Sequence, residues 1–406
     1  MKSRPESSFQ ALVGQAAGSG LTKCRIALGT GIILASLAFR SPLDAGGLSF
    51  GPIQTLSGTA GSTKCRLKAG MNGDFHLSYI SGGLVNYARY RKGSWSEILT
   101  CGSAGQVNIY ADVAGDRKGN AYLAWCDVKG SVLHLATITN AKDAKHEEVP
   151  VGKGWHAGIC VDTLDYVRAF CDEHEPDRTR MWSKRIGTDA WTVSEIGISE
   201  CERTVAGGQR QPSIVAKRDA KLFYGYQWYC EKGNRRIAFR EFNCRTERWS
   251  EPIFTLGGLK PFGPQMFVDS KNKVHMAWCA GQDPEGSAER AWVAKMYSHE
   301  DRKEIIQLQR SLGGGEYQWP TLVAVSDKGL VLVVGTTGVE AKHGKAAGQA
   351  YYVIGDGRSF TEPKLIEEGK PVTSWAALAA HGNTFLLAWV SDELIRYRTA
   401  VDDSQP

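Results

Sequence analysis

Several things are scarce in this chain of 406 residues, and each scarcity removes a class of explanation. No Cys-x-x-Cys pair occurs among its ten cysteines, which removes the spacing of zinc ribbons and dithiol oxidoreductases. No apolar run reaches the roughly 20 residues of a membrane-spanning helix; the longest, from Ile26 to Phe39, falls short. Basic residues outnumber acidic ones by only six and are dispersed. That balance mildly favours acidic partners and carries no nucleic-acid footprint. Low-complexity tracts are absent, so little disorder is expected beyond the ends. No motif supports a cofactor or a metal ion, and a structural Ca²⁺ has no loop motif behind it either.

The first 45 residues stand apart from the rest. Lys2, Arg4, Lys23 and Arg25 precede the apolar run, Arg40 follows it, and Ser36-Leu37-Ala38 offers a cleavage site. Residues 1–45 are therefore expected to be a signal peptide or N-terminal anchor with a flexible segment, and residues 403–406 a tail. The expectation is an exported protein, periplasmic, extracellular or anchored, that meets a membrane only if the segment stays uncleaved.

What fills residues 46–402 is a repeat. Pro264-Gln265-Met266-Phe267-Val268 leads into a polar turn, Asp269-Ser270-Lys271-Asn272, and then into Lys273-Val274-His275-Met276-Ala277-Trp278, the pattern of a tight β-hairpin. The same pattern ends at Tyr79, Trp125 and Trp389, with weaker copies ending at Phe170, Tyr226 and Val334. A third run with aromatic and basic residues follows each hairpin, as in Tyr87-Ala88-Arg89-Tyr90. A fourth then opens on an aromatic, as in Trp249-Ser250-Glu251-Pro252. A period of about 50 residues with four short strands per unit predicts an all-β, seven-bladed β-propeller. The last unit lacks its fourth strand, and Phe50-Gly51-Pro52-Ile53-Gln54-Thr55-Leu56 supplies one, so an N-terminal strand is expected to close the last blade.

Cys126, Cys171 and Cys279 each directly follow the anchor of a unit and are read as one repeated position. In neighbouring blades such positions should lie on the order of 10 Å apart, given strands about 4.8 Å apart within a blade. Disulfides need Cα atoms within roughly 7 Å, so buried packing is expected for these three, with disulfides to loop cysteines such as Cys201 or Cys160, or a metal site, as the alternatives.

Function is sought on the loops that a rigid propeller gathers on one face. The segments leading into first strands bring Arg66, Tyr110, Trp155, His156, Arg210, Gln211, Tyr317, Trp319 and Trp375; the ends of second strands bring Asp127, Asp172 and Glu173. Aromatic faces stack on sugar rings, and Arg forks a uronate or sulfate. His156 is the candidate for proton abstraction next to a uronate, with Tyr110 or Tyr317 as acid and Arg210 on the carboxylate. Asp127, Asp172 and Glu173 are the alternative, an acid–base pair for hydrolysis. His76, His134 and His275 are read as structural.

The hairpins, the Tyr-x-Arg third strands and the Trp-Ser-Glu-Pro fourth strand resemble the sialidase-like, BNR-type propellers of bacteria over residues 48 to 401. The resemblance implies a carbohydrate-active or carbohydrate-binding domain. No Phe-Arg-Ile-Pro motif occurs, so sialidase activity is not expected. Seven-bladed relatives include ulvan lyases. The expected function is action on, or binding of, an anionic polysaccharide by a monomer, whether as a lyase, a hydrolase, or a non-catalytic lectin or interaction scaffold.

Overall fold

The computed structural model describes residues 47–105, 110–127, 129, 131–152, 154–174, 177–197, 207–230, 235–254, 259–281, 290–296, 305–307, 321–337, 348–372 and 376–404. The leader expected over residues 1–45 lies outside them. Among the described residues every regular element is a strand. They form seven antiparallel sheets of four or five strands in a β-propeller arrangement.

The innermost strands are Ser62–Ala69, Asp112–Gly115, Gly154–Val161, Gly207–Lys217, Leu259–Val268, Thr321–Val325 and Ala377–His381. Each packs on the next, and the last packs on the first. The seventh sheet takes its outer strands from the start of the chain: Leu48–Phe50 and Gln54–Thr55 both pair with Leu394–Asp402. Closure of this kind removes a free edge that would otherwise pair with another chain.

One device recurs at the turns of five of the hairpins. The residue at the turn's start pairs with the residue four places on, in Gly70–Asp74, Asp116–Asn120, Asp162–Tyr166, Asp269–Lys273 and Ser326–Leu330. Where that first residue is aspartate, one carboxylate oxygen caps the amide four places on, and the other takes the side chain six places on. Asp116 accepts from the Asn120 amide at 2.9 Å and the Tyr122 hydroxyl at 3.1 Å. Asp162 accepts from the Tyr166 amide and Arg168 Nε, and Asp269 from the Lys273 amide and His275 Nε2. Asn and Asp are turn formers because their side chains reach the backbone in this way.

Nine places beyond the turn residue, which in the fourth sheet is Lys217 paired with Lys221, stands the large core side chain: Tyr79, Trp125, Tyr226 and Trp278, all buried. Counting from the turn corrects two of the anchors read from sequence. In the third and sixth sheets the ninth place is Cys171 and Gly335, not Phe170 and Val334. A one-residue slip on a strand reverses the face. Phe170 accordingly packs with Tyr224 and Tyr226 of the fourth sheet, and Val334 with Leu387 and Trp389 of the seventh.

The same slip changes the separation expected for two of the cysteines, while their burial as free thiols is as expected. Cys171 faces the second sheet, whereas Cys126, ten places beyond its turn, faces the third. Their Sγ atoms meet at 2.9 Å in the core between the two sheets. Both are buried, and burial pushes the Cys171 thiol well above its ordinary range.

The first sheet breaks the turn rule with consequences for His76. Gly70 stands where the second, third and fifth sheets carry aspartate, so the imidazole has no turn carboxylate to meet. His76 Nδ1 pairs with the Tyr87 hydroxyl at 2.8 Å, and Nε2 is buried without a partner. A Cβ on Gly70 would lie 2.6 Å from that nitrogen, and one on Gly115 2.2 Å from it. Burial lowers the His76 pKa to about 4, against an ordinary value near 6.5. The fold therefore holds the neutral ring, while below the ordinary value the unfolded chain takes up a proton that the folded one refuses. Stability should fall by about 3 kcal/mol as pH drops from roughly 6.5 to 4. Urea unfolding across that range should show this slope in the native protein and lose it in His76→Asn; equal slopes would contradict the assignment.

Candidate functional site

Seven inner strands leave space along their common axis. A cavity of about 530 Å³ is lined by residues of all seven. Arg66, Lys68 and Gln265 border it towards one end, and Arg117, Arg218 and His381 at the hairpin-turn end. The turn end is stitched from sheet to sheet. Met71 N donates to Gly115 O, Arg117 to Thr163 O, Arg218 to Ser270 O and Asp327 N to Gly382 O. The opposite end, here called the mouth, is built differently. Pairing of the inner strand slips between Ser62 and Lys64, Gly154 and His156, Arg210 and Ser213, and Phe262 and Gln265. Bulges of this kind re-aim side chains and are common beside functional sites.

Asp112, 3% exposed, is the centre of the mouth. It accepts from Lys68 Nζ at 2.6 Å and Arg66 Nε at 3.3 Å, both of the first sheet, and from Ile159 N of the third at 2.8 Å. Lys68 also donates to Ile159 O at 3.0 Å. Burial pulls the Lys68 ammonium below its ordinary pKa, and Asp112 pulls it back. Lys64, four places from Lys68 on the same face, is lowered by burial to about 8. The Arg66 guanidinium lies over the Tyr110 ring, 4.9 Å from its centroid. Burial raises the Tyr110 hydroxyl, Arg66 and a hydrogen bond with Gln265 oppose the rise, and the charges of Asp112 and Asp172 add to it. Tyr110 is thus held protonated at neutral pH.

Beside it, His156 is clamped by Asp172. One carboxylate oxygen accepts from the His156 amide at 2.6 Å, and the other meets Nδ1 at 2.8 Å. A carboxylate partner fixes the proton on Nδ1 and so puts the neutral ring's lone pair on Nε2. The structure thus forms two pairs of the residues named from sequence, His156 with Asp172 and Arg66 with Tyr110, and the charge of Asp172 reaches Tyr110. Arg66 is not a solvent-facing fork, since it is buried and paired with Asp112.

Of the carboxylates read for hydrolysis, Asp172 and Glu173 do not pair. Asp172 and Glu173 are fully buried, and successive strand residues point to opposite faces, so they cannot flank one glycosidic bond. Glu173 accepts from Gly152 N at 2.9 Å and Arg178 Nε at 3.1 Å, and from Arg180. Asp127 is half-buried and accepts from the Lys129 amide. For Trp155, Arg210 and Gln211 the structure describes the backbone, at bulges of the third and fourth inner strands. Tyr317, Trp319 and Trp375 lie outside the described residues. Asp112, Lys68, Arg178 and Arg180 were not singled out from sequence. A signal existed for two of them: the alternation Lys64-x-Arg66-x-Lys68, and the position of Asp112 four places before the turn residue, where Arg66 and Gln265 also stand.

No family model matches the chain, and no curated protein matches it. Among solved structures, a polysaccharide lyase of family PL25, an ulvan lyase, is similar at TM-score 0.56 and 11% identity over 85% of this chain and 95% of that one. The same enzyme type bound to -[GlcA(1-4)Rha3S]- matches at TM-score 0.56 and 12% identity over the same shares. The BP39L lectin from Burkholderia pseudomallei matches at TM-score 0.58 and 12% identity over 85% of this chain and 98% of that one. At such identities the likeness is one of fold, and it agrees with the β-propeller read from the sequence.

The charge arrangement makes a direct prediction. Asp112→Asn strands two largely buried cations and should cost about 3–5 kcal/mol. In a chain that already carries Arg66→Met and Lys68→Met, the same change should cost far less. Urea unfolding of the four proteins measures the coupling, and a loss under about 1 kcal/mol in the native background would contradict the role given to Asp112.

Proposed function

We propose that the seven sheets are the blades of one closed, exported propeller whose mouth takes an anionic, uronate-containing polysaccharide and cleaves it by β-elimination. The observation that supports this most is the clamp of His156 by Asp172, whose charge also reaches a protonated Tyr110 with Arg66 over its ring. Elimination needs a base for the proton α to the uronate carboxyl, charge to stabilise the resulting enolate, and an acid for the departing glycosidic oxygen. His156 Nε2 is the base and Tyr110 the acid. The cations of the mouth, Arg66 and Lys68 with Lys64 above them, provide the positive field. The C–H bond breaks to His156, the electron pair forms the new C=C bond, and the C–O bond breaks to an oxygen that takes the Tyr110 proton. The solved relatives add fold-level support, as one is a polysaccharide lyase and another a lectin.

The charge compensation of Arg66 and Lys68 by Asp112 favours a second reading, a lectin-like mouth that holds the glycan without cutting it. One experiment separates the two. Purified protein is incubated with a panel of uronic-acid polymers, and the ultraviolet absorbance of the unsaturated product is followed alongside binding. The lyase reading expects product from the native protein and a drop of about 10²–10⁴-fold in His156→Ala with binding retained. Binding without product selects the lectin, and neither binding nor product on any polyanionic glycan sinks both.

A further inference from the structure

Away from the mouth, two outer strands of the second sheet carry a group of side chains that neither the core nor the proposed chemistry uses. His134 lies on Val132–Thr139; His146 and Glu148 lie on the next strand, Asp143–Pro150. The register sets His134 opposite Glu148 and Ala136 opposite His146, so all three side chains share one face of the sheet. His134 Nδ1 is 3.0 Å from His146 Nε2 and 3.4 Å from Glu148 Oε1, and the three donor atoms lie within 4.8 Å of one another.

We propose that His134, His146 and Glu148 form a binding site for a borderline divalent transition-metal ion, zinc being the best fit. Zinc bonds to imidazole and carboxylate run about 2.0–2.1 Å, so tetrahedral geometry puts donor atoms roughly 3.3 Å apart. The two observed separations bracket that spacing. Two imidazoles and one carboxylate are the donor set this ion takes when it keeps one position for water. The donors are also pre-set. Both imidazoles lie flat on the buried Trp125 indole, with centroids 5.0 and 5.4 Å away and planes within 10° and 11°. The indole is itself fixed by a hydrogen bond of 3.0 Å to Ser103 O.

Room for the ion comes from the first sheet. Gly102 faces this group, and a Cβ there would sit 3.5 Å from His146 Nε2 and 3.1 Å from the indole. The Glu148 side chain is 59% exposed, which keeps the site open to solvent. An ion here would clasp the largely exposed strand Asp143–Pro150 to its sheet. The proposal is independent of the reading of the mouth.

The test is calorimetric titration of zinc into the full-length protein after chelator treatment and dialysis, with thermal melts in parallel. The expected result is one equivalent bound at micromolar or tighter affinity and a melting transition raised by zinc. His146→Ala and Glu148→Gln, both at exposed positions, should each weaken binding about 10–100-fold and abolish the zinc-dependent shift. Cobalt in place of zinc should give the intense visible absorption of a tetrahedral site, absent in His146→Ala. Native affinity in both variants, or no stoichiometric binding by the native protein, would overturn the proposal.

Discussion

A single buried carboxylate ties three consecutive sheets together at the axis. Asp112 belongs to the second sheet, draws Arg66 and Lys68 from the first, and accepts the Ile159 amide of the third. A buried anion is costly unless cations and donors surround it closely, and the surrounding groups are equally costly without it. Each of the three sheets is thereby held in one orientation relative to its neighbours. The height of this contact on the axis is common to the ring: Arg66, Asp112, Gly158, Ser213, Gln265 and Leu322 all stand four places before the turn residue. The level is polar through much of its circuit. Ser213 continues the pattern by accepting the Met266 amide of the next sheet.

The two ends of the axis divide their work. At the turn end, backbone carbonyls of one hairpin receive donors from its neighbour, which leaves the turns bound to each other. Extra residues instead interrupt the mouth ends of four inner strands and redirect what they carry. His156 follows one such bulge, with the backbone of Trp155 inside it, and the backbone of Arg210 and Gln211 lies at another. The hairpins supply the rigid frame, and the irregular strand ends supply chemistry. His76 shows how far the frame tolerates an exception: a glycine for aspartate at one turn leaves a buried nitrogen unsatisfied and a histidine far from its ordinary pKa.

Much of the frame was legible because the repeat is written in local rules. A turn aspartate, a side chain six places on and an aromatic nine places on are visible in a single strand pair, and the missing outer strand of the last unit pointed to Leu48–Phe50. The two misplaced anchors arose where an aromatic or branched residue, Phe170 or Val334, outweighed the turn spacing. Asp162 and Ser326 fix the true count, and with it the meeting of Cys126 with Cys171. The mouth was legible only as a set of residue types. That Asp172 would clamp His156 depends on a bulge in the third inner strand, and that Asp112 would neutralise Arg66 depends on contacts between chain segments 46 residues apart. Neither leaves a local pattern. The metal-ligand group was invisible for the same reason, since its spacing exists only across an antiparallel register.

The central claim is that the mouth, with Arg66, Tyr110 and the His156–Asp172 pair, is where an anionic glycan sits. A crystal structure of the protein with a uronate oligosaccharide tests it most directly. The account predicts a uronate ring at the mouth, with His156 and Tyr110 within hydrogen-bond distance of the sugar. A sugar bound at the turn end beside Arg117 and Arg218, or on an outer face of the sheets, would contradict it.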